Sequence, residues 1–572
     1  MAIHNTDISV LFNRMADLLE IEGANPFRVR AYRRAATTVE DLPESVTRYL
    51  AEGQKLNALP GIGDDLAEKI KEIVGTGSFR ALEEVEARTP SSLATLTALP
   101  GLGPKRVHAL HEKLGIGTIT DLARAAEAGK VRELRGFTAA TEAKLLKEIR
   151  HKSKGEQRFR IATAEEIAEG LIAYLQSVRG IENSIVAGSY RRRKETVGDL
   201  DILATCEDGL KAIDHFVAYD EVDKVLSKGT TRATVVLKTG IQVDLRVVPA
   251  ASYGAALHYF TGSKAHNIAV RKLGLAKKLK INEYGVFRGK KRIAGQTEAE
   301  VYSSVGLPYI EPEIREERGE IDAAFQGKLP RLITVADLRG DLHVHTKASD
   351  GKNSLQEMAE AAKSRGYEYL AITDHSRHAT VAHGLDPKRL GKELDDIDRL
   401  NDELVGVRLL KSCEVDILAD GSMDMPESIL KRLDFAVGAV HYRFDLGLKE
   451  QTERIVRAMD NRHFTILAHP TGRLLGERPG YAVDLDAVMA AAKERGCFLE
   501  VNSHPARLDL DDVHCRAAKE LGLKLAISTD AHSTLGLAAI RYGVDQARRG
   551  WLEPDDVLNT HSWPELKALF KR

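Results

Sequence analysis

Apolar residues recur every three or four positions in DISVLFNRMADLLEI (7–21) and again in LAEKIKEIV (66–74), a spacing that lays one apolar stripe along a helix. Residues 1–150 therefore read as helical. From about 160 the rhythm changes. A helical segment over 163–178 leads into strand patterns at NSIVAGSY, DLDILAT, ATVVLK and IQVDLRVV. The stretch EPEIREERGEIDAAFQGKLPRL (311–332) is charge-dense and carries prolines, and it reads as a linker. Beyond 340 come seven apolar runs, each ending in a polar group: DLHVH, YLAITDH, VRLLKSCEV, FAVGAVH, FTILAHP, CFLEVNSH and LKLAISTDAH. Room for a helix lies between successive runs. Apolar strands alternating with helices predict a parallel sheet, and seven units favour a barrel with its chemistry at the carboxyl ends of the strands.

A repeat sharpens the helical front. LPGIGDDLAEKI (59–70) and LPGLGPKRVHAL (99–110) match, and a weaker copy lies at LRGFTAATEAKLLKEI (134–149). Glycines ahead of a helix let backbone N–H groups approach a phosphate at the positive helix end. Gly61, Gly63, Gly101 and Gly103 are the candidates for such DNA-backbone contacts, which position a duplex without reading its sequence.

Composition adds little to this. With 43% apolar and 29% charged residues the chain is of ordinary globular type, and a net charge of −1 means that any basic surface is local. The four cysteines form no CxxC pair, which suits a reducing cytoplasm and argues against a thiolate zinc site. No apolar run approaches a membrane span, and the expectation is a cytoplasmic protein without a membrane partner. Histidine is the exception: twelve of nineteen lie after residue 340.

The middle carries AGSYRRRKETVGDLDIL (187–203). Asp199 and Asp201 alternate along a strand and share one face, and Asp244 in VDLRVV supplies a third carboxylate. Three hard oxygen donors suit two Mg²⁺ or Mn²⁺ ions ~3.5–4 Å apart. Gly188 and Ser189 offer donors to the β- and γ-phosphates of a nucleotide, and Arg192 a charge-assisted contact. The combination of GS, GDLD and a later VDLR is the nucleotidyltransferase pattern.

HYFTGSKAHN (258–267) resembles the YFTGS element of family X DNA polymerases, the DNA polymerase beta type. That resemblance implies that Tyr259 and Phe260 lie beside the nucleotide sugar, that Gly262 allows close approach, and that Asn267 reaches the base edge. It also implies a template-side role for Arg271. AYRRAA (31–36) followed by LPGIGDDLAEKI resembles the lyase domain of that family. Lys69 then occupies the place of the Schiff-base lysine of a 5′-deoxyribose-phosphate lyase, and Tyr32 that of a DNA-contacting aromatic. Asp65 stands where the animal enzymes carry a basic residue.

In the tail, His343 and His345 share a strand face, as do Asp530 and His532, with His375, Glu414, His441 and His469 at strand ends between them. Imidazole and carboxylate ligands without thiols favour Zn²⁺, Mn²⁺ or Fe²⁺, and so many ligands imply two or three ions. The set, completed by Asp350, resembles the nine ligand positions of the PHP phosphoesterases and implies a distorted (β/α)₇ barrel with a multinuclear site. Alone, the tail reads equally as a small-molecule phosphatase; fusion to a polymerase directs it to DNA ends. His463, His514 and His561 read as structural, and His504 as a substrate contact or a structural residue.

The fold class is thus multidomain. A lyase-like helical domain (1–90) precedes a second helix–hairpin–helix region (91–155), an α/β nucleotidyltransferase palm (156–255) and a nucleotide-selecting subdomain (256–312). A linker (313–338) and a PHP domain (339–572) follow. The expected function is base excision repair: short-gap filling with dNTPs on gapped or 3′-recessed DNA by a monomer, with 3′–5′ exonuclease, 3′-end and abasic-site processing in the tail. Two alternatives are a polymerase on a structural PHP platform and a DNA-end binding module.

Overall fold

The computed structural model describes residues 5–571 apart from 41, 43–45, 52, 60, 87, 88, 90–92, 94, 95, 97, 98, 100, 101, 135 and 153–157. It divides into two units, Met1–Gln157 and Arg158–Arg572.

The described part of the first unit is helical. Helices Asn5–Ile21 and Pro26–Glu40 pack against each other. Asp64–Thr76 and Pro104–Leu114 are the helices that follow the two Leu-Pro-Gly-x-Gly stretches, with Gly63 and Gly103 as their N-caps. Phe12, Tyr32 and Phe79 form a buried aromatic knot, with Phe12 edge-on to both others at 5.6 Å.

The second unit opens with a five-stranded sheet: β1 (Ile181–Val186), β2 (Asp199–Cys206), β3 (Val222–Lys228), β4 (Arg232–Leu237) and β5 (Gln242–Val248), in the order β1-β2-β5-β4-β3. The β2–β5 pair is parallel and the others antiparallel. Four of these strands coincide with predicted ones. The edge strand β3 was not anticipated, because six of its seven side chains are exposed and its sequence shows no buried face. Next comes a subdomain of helices Tyr253–Thr261, Lys264–Ala276 and Glu298–Val305 with an antiparallel sheet of β6 (Lys280–Asn282), β7 (Gly285–Arg288) and β8 (Lys291–Ala294).

Residues 313–338 correct the linker expectation. The segment packs, with Ile314, Ala324 and Leu332 in a core shared with Trp551. Several of its charges are paired: buried Arg315 donates to Glu298 at 2.6 Å, and buried Glu320 faces His266 at 2.6 Å. Charge density marked an ion-paired junction, since buried ionic groups persist where each finds its counterpart.

The tail holds eight parallel strands in two sheets. The first is β9 (Gly340–Val344), β10 (Tyr369–Ile372) and β11 (Arg408–Lys411). The second is β12 (Glu414–Asp416), β13 (Ala436–Ala439), β14 (Phe464–Leu467), β15 (Phe498–Asn502) and β16 (Leu525–Ser528). β11 and β12 are halves of one predicted run, interrupted at Ser412 and Cys413. Parallel bridges Val344–Ala531 and His375–Glu414 join the sheets at two places, beside the His343 carbonyl that accepts from Asp530 N at 2.9 Å. All but β11, whose ends Arg408 and Lys411 reach the surface, are buried throughout, so their apolar runs do not alternate. Leu475, Leu508 and Tyr542 from the tail enter the core of the five-stranded sheet and tie the two regions together.

Two candidate active sites

On the five-stranded sheet, β2 and β5 run in parallel register with Asp201 directly opposite Asp244, and Asp199 opposite Gln242. Neighbouring strands lie about 4.8 Å apart, so three carboxylates crowd one strand end. Asp244 is fixed by its neighbours: Thr234 Oγ1 donates to it at 2.6 Å, Gln242 Nε2 at 2.9 Å and Arg232 Nη2 at 3.1 Å. Burial, then the charges of Asp199 and Asp244, push the Asp201 carboxyl up to about 7. Divalent cations relieve that repulsion, and the three oxygen donors fit them.

Gly188 begins the short helix Gly188–Arg191 at φ +61° and lies against Asp201. Ser189 follows it, partly exposed. Arg192, expected at the triphosphate, is held on two sides: its Nε donates to Glu316 at 3.0 Å and its Nη1 to the Thr261 carbonyl at 2.5 Å. Tyr259 and Phe260 meet edge to face at 5.1 Å, and the Arg246 guanidinium lies over Phe260 at 5.1 Å. Gly262 ends their helix beside the Arg192 guanidinium. Asn267, expected at a base edge, is buried and donates from Nδ2 to the Tyr259 carbonyl at 2.7 Å, which leaves its buried Oδ1 without a protein partner. Arg271 is exposed on the following helix.

In the first unit Gly61, Gly63 and Gly103 are exposed, while Gly101 lies outside the described residues. Lys69 is paired with Asp65 four residues earlier, one turn away on the same helix. Tyr32 departs from expectation: it is 3% exposed inside the aromatic knot and is a core residue rather than a surface for DNA.

The tail brings all nine of its expected ligands together around Glu414. Oε2 of Glu414 lies 2.8 Å from His375 Nδ1, 3.5 Å from His343 Nε2 and 3.6 Å from His345 Nε2. Oε1 lies 2.9 Å from His469 Nε2 and 3.2 Å from His441 Nε2. Asp530 Oδ1 stands 3.1 Å from His345, and Asp350 Oδ1 3.3 Å from His532 and 3.7 Å from His375. Three overlapping clusters result: His345, Asp350, His375 and His532; His343, His345 and Asp530; His375, Glu414 and His441. Glu414 Oε2 is buried without a hydrogen bond despite these neighbours. A carboxylate facing several imidazole nitrogens in this way fits a bridge between cations. His469 and Asp530 both hold positive φ, +27° and +55°, as residues forced into a site do.

Residues outside the predicted set orient the imidazoles. Glu500, fully buried, lies 2.8 Å from His343 Nδ1 and accepts from His469 N at 2.7 Å. Asp416 lies 3.0 Å from His441 Nδ1. A carboxylate only accepts, so each Nδ1 carries the proton and each Nε2 is left as a donor of its lone pair. His345 is pushed down to about 4, by burial first and then by His532 and His375, and presents a neutral ring. Arg507 stands 3.6 Å from Asp530. His463 and His514 pair with Glu427 and Asp511 away from these clusters, and His504 Nδ1 accepts from Ala506 N at 3.2 Å.

Comparison with known proteins follows the same divisions. A helix–hairpin–helix domain matches residues 3–79, a SAM-like helix–hairpin–helix tandem 93–151, the DNA polymerase beta palm 161–246, the DNA polymerase beta thumb 256–316 and the PHP domain 341–504. The DNA polymerase/3′-5′ exonuclease PolX of Bacillus subtilis (strain 168) is 37% identical over 577 aligned residues, covering 100% of each chain. Over 235 residues the chain is 29% identical to a probable phosphatase of Thermoanaerobacter sp. (strain X514), covering 38% of this chain and 89% of that one. It is 32% identical over 204 residues to a probable phosphatase of Acetivibrio thermocellus, covering 34% and 78%. With a beta-type palm and thumb, a PHP domain and an end-to-end relative, the chain belongs to the family X DNA polymerases that carry a C-terminal PHP domain.

Proposed function

We propose that this protein is a cytoplasmic, monomeric repair polymerase that fills short gaps with dNTPs and trims 3′ ends in its tail. The observation that carries the first half is the side-by-side register of Asp201 and Asp244, with Asp199 on the same strand. The nine candidate ligands, gathered with Glu414 and its unsatisfied Oε2 at their centre, carry the second. Asp199, Asp201 and Asp244 would hold two Mg²⁺ or Mn²⁺ ions. The tail set would hold two or three Zn²⁺ or Mn²⁺ ions, with the two tail sheets read as one distorted (β/α)₇ barrel. Bound there, divalent cations supply Lewis acidity toward the reacting phosphate and lower the pKa of the attacking oxygen.

The chain's own residues do the rest. Gly188 and Ser189 offer donors to the triphosphate, Arg192 adds positive charge, and Tyr259 and Phe260 wall the sugar. Asn267 keeps Tyr259 in place through its carbonyl, and Arg271 faces solvent on the template side. In the tail, Glu500 and Asp416 hold the imidazoles in one tautomer, and Arg507 offers a cation to a phosphodiester. The helix–hairpin–helix glycines grip the DNA backbone, and Lys69 acts as a lyase nucleophile after leaving its pair with Asp65. The domain limits proposed are 1–90, 91–155, 156–255, 256–312 and 339–572, with 313–338 as a packed junction.

A gapped duplex with a 5′-labelled primer, incubated with and without dNTPs, tests this. Asp199→Ala should abolish extension and spare trimming, and His343→Ala the reverse; loss of both activities from either change would refute two separate sites. The tail core residues buried against the palm favour a second, supporting role for the PHP domain. Metal analysis showing no tail-bound ion would make that its whole role.

A further inference from the structure

Arg549 ends the helix Ile540–Arg549 in the PHP region, is only 3% exposed, and has no part in either site as described. Its guanidinium donates to the Arg192 carbonyl at 2.6 Å, to Glu316 Oε1 at 3.1 Å, to Asp512 Oδ2 at 2.7 Å and to the Glu313 carbonyl at 3.4 Å. None of these partners is a candidate nuclease ligand. Glu316 in turn accepts from Arg192 Nε at 3.0 Å, and Arg192 Nη1 reaches the Thr261 carbonyl, one residue before Gly262. A residue of the nuclease region thus grips Arg192 at both ends, its main chain directly and its guanidinium through Glu316. Arg suits this task, because a planar fork of five donors can serve several acceptors at once without bending. The arrangement is also hard to loosen piecemeal. Removing the Arg549 charge takes one donor from each of two part-buried carboxylates; Asp512 keeps Arg318 at 2.9 Å, whereas Glu316 is left with Arg192 and is free to draw it into a new position.

We propose that Arg549 is a positioning residue for the polymerase site: from within the PHP domain it sets the Arg192 guanidinium and, through it, the affinity for the dNTP triphosphate. The proposal rests on the nucleotide-binding role given to Arg192 above. It makes the polymerase site dependent on the nuclease domain without any shared ligand.

Gap filling by the full-length chain on a one-nucleotide gap tests it, with dNTP titrated against wild type, Arg549→Met, Arg549→Lys, Arg192→Ala and the Arg549→Met/Arg192→Ala double variant. Arg549→Met should raise the dNTP KM about ten-fold, the worth of one well-aimed charge-assisted hydrogen bond, with kcat and primer trimming within about two-fold. Arg549→Lys should recover part of the loss. Arg192→Ala should raise KM at least as much, and the double variant should be no worse than Arg192→Ala alone. An unchanged KM in Arg549→Met overturns the proposal. So does a joint fall of kcat, trimming and melting temperature, which would mark a packing role, and so does a multiplying effect in the double variant. Silence of Arg192→Ala itself would remove the nucleotide role of Arg192 and the proposal together; silence of Arg549→Met alone removes only the proposal. Where Arg549→Met fails to fold, Arg549→Lys decides: an intermediate rise in KM supports the proposal, and none refutes it.

Discussion

Replacing Gly188 with alanine isolates the closest approach at the polymerase site. A Cβ built on Gly188 stands 2.5 Å from Asp201 Oδ2 and 3.3 Å from its Cγ, roughly 1 Å inside ordinary contact. The backbone there is left-handed, φ +61°, which adds about 1 kcal/mol of strain for any residue with a Cβ. The clashing atoms belong to the Asp201 side chain rather than to backbone, so the carboxylate is the part that yields. It shifts away from the position shared with Asp244. Displacing a catalytic group by about 1 Å costs on the order of 10²-fold in rate. On a one-nucleotide gap with saturating dNTP, kcat for extension should therefore fall about 10²-fold. Trimming of the same primer without dNTPs should stay within about two-fold, since the tail site is built from other residues. Gly289→Ala is the matched control: φ is +60° but no atom lies within 4 Å of the new Cβ. It should cost about 1 kcal/mol of stability and leave kcat intact. Extension by Gly188→Ala within about three-fold of wild type, or an equal loss in Gly289→Ala, would refute the claim that this approach fixes Asp201.

The same carboxylate sets a pH dependence. Asp201 sits near 7 without cations, so below that pH a proton competes with the ion; the half-saturating Mg²⁺ for extension should fall roughly ten-fold from pH 6 to pH 8. In the metal-free protein the raised pKa means that this carboxyl's contribution to stability is present at acid pH and is lost as pH rises through about 7; a melting temperature rising across that interval in Asp201→Asn relative to wild type checks the sign. Lys105 and Arg106 are exposed at the start of the second hairpin helix, whereas the first begins with Asp64 and Asp65. Changing both basic residues to alanine should weaken gapped-duplex binding and reduce the salt slope of log K by about 2, and an unchanged slope would remove this helix from the interface. Lys69→Ala should abolish borohydride trapping on a 5′-deoxyribose-phosphate end, and Asp65→Asn, which breaks the Lys69 pair, should increase it; trapping that persists in Lys69→Ala points to another amine.

What the sequence reveals here depends on how far apart the interacting partners lie. Eight of the nine tail candidates were legible because each sits at the end of an apolar run, and the i, i+2 spacing of His343 with His345, and of Asp530 with His532, fixes a common face; Asp350, in the loop that follows the first run, came from the family resemblance alone. The Asp199, Asp201 and Asp244 set was legible for the same reason. Glu500 and Asp416 were not, although they too occupy strands with the right alternation. Their meaning comes from facing one imidazole Nδ1 each, 157 and 25 residues away, and no local pattern records that. Tyr32 carries the same lesson from the opposite side: its motif matched, and its neighbours Phe12 and Phe79 turned it inward. The charged junction at 313–338 is the sharpest case. Charge and proline normally mark solvated chain, yet Arg315, Glu316 and Glu320 each meet a partner on another element, Glu298, Arg192 and His266. Those partners belong to the nucleotide subdomain and palm, while Arg549 reaches Glu316 from the PHP side. A segment that joins two catalytic regions must satisfy charges from both at once. That requirement explains why its composition looks like a linker while Ile314, Arg315, Glu320, Ala324 and Leu332 are buried.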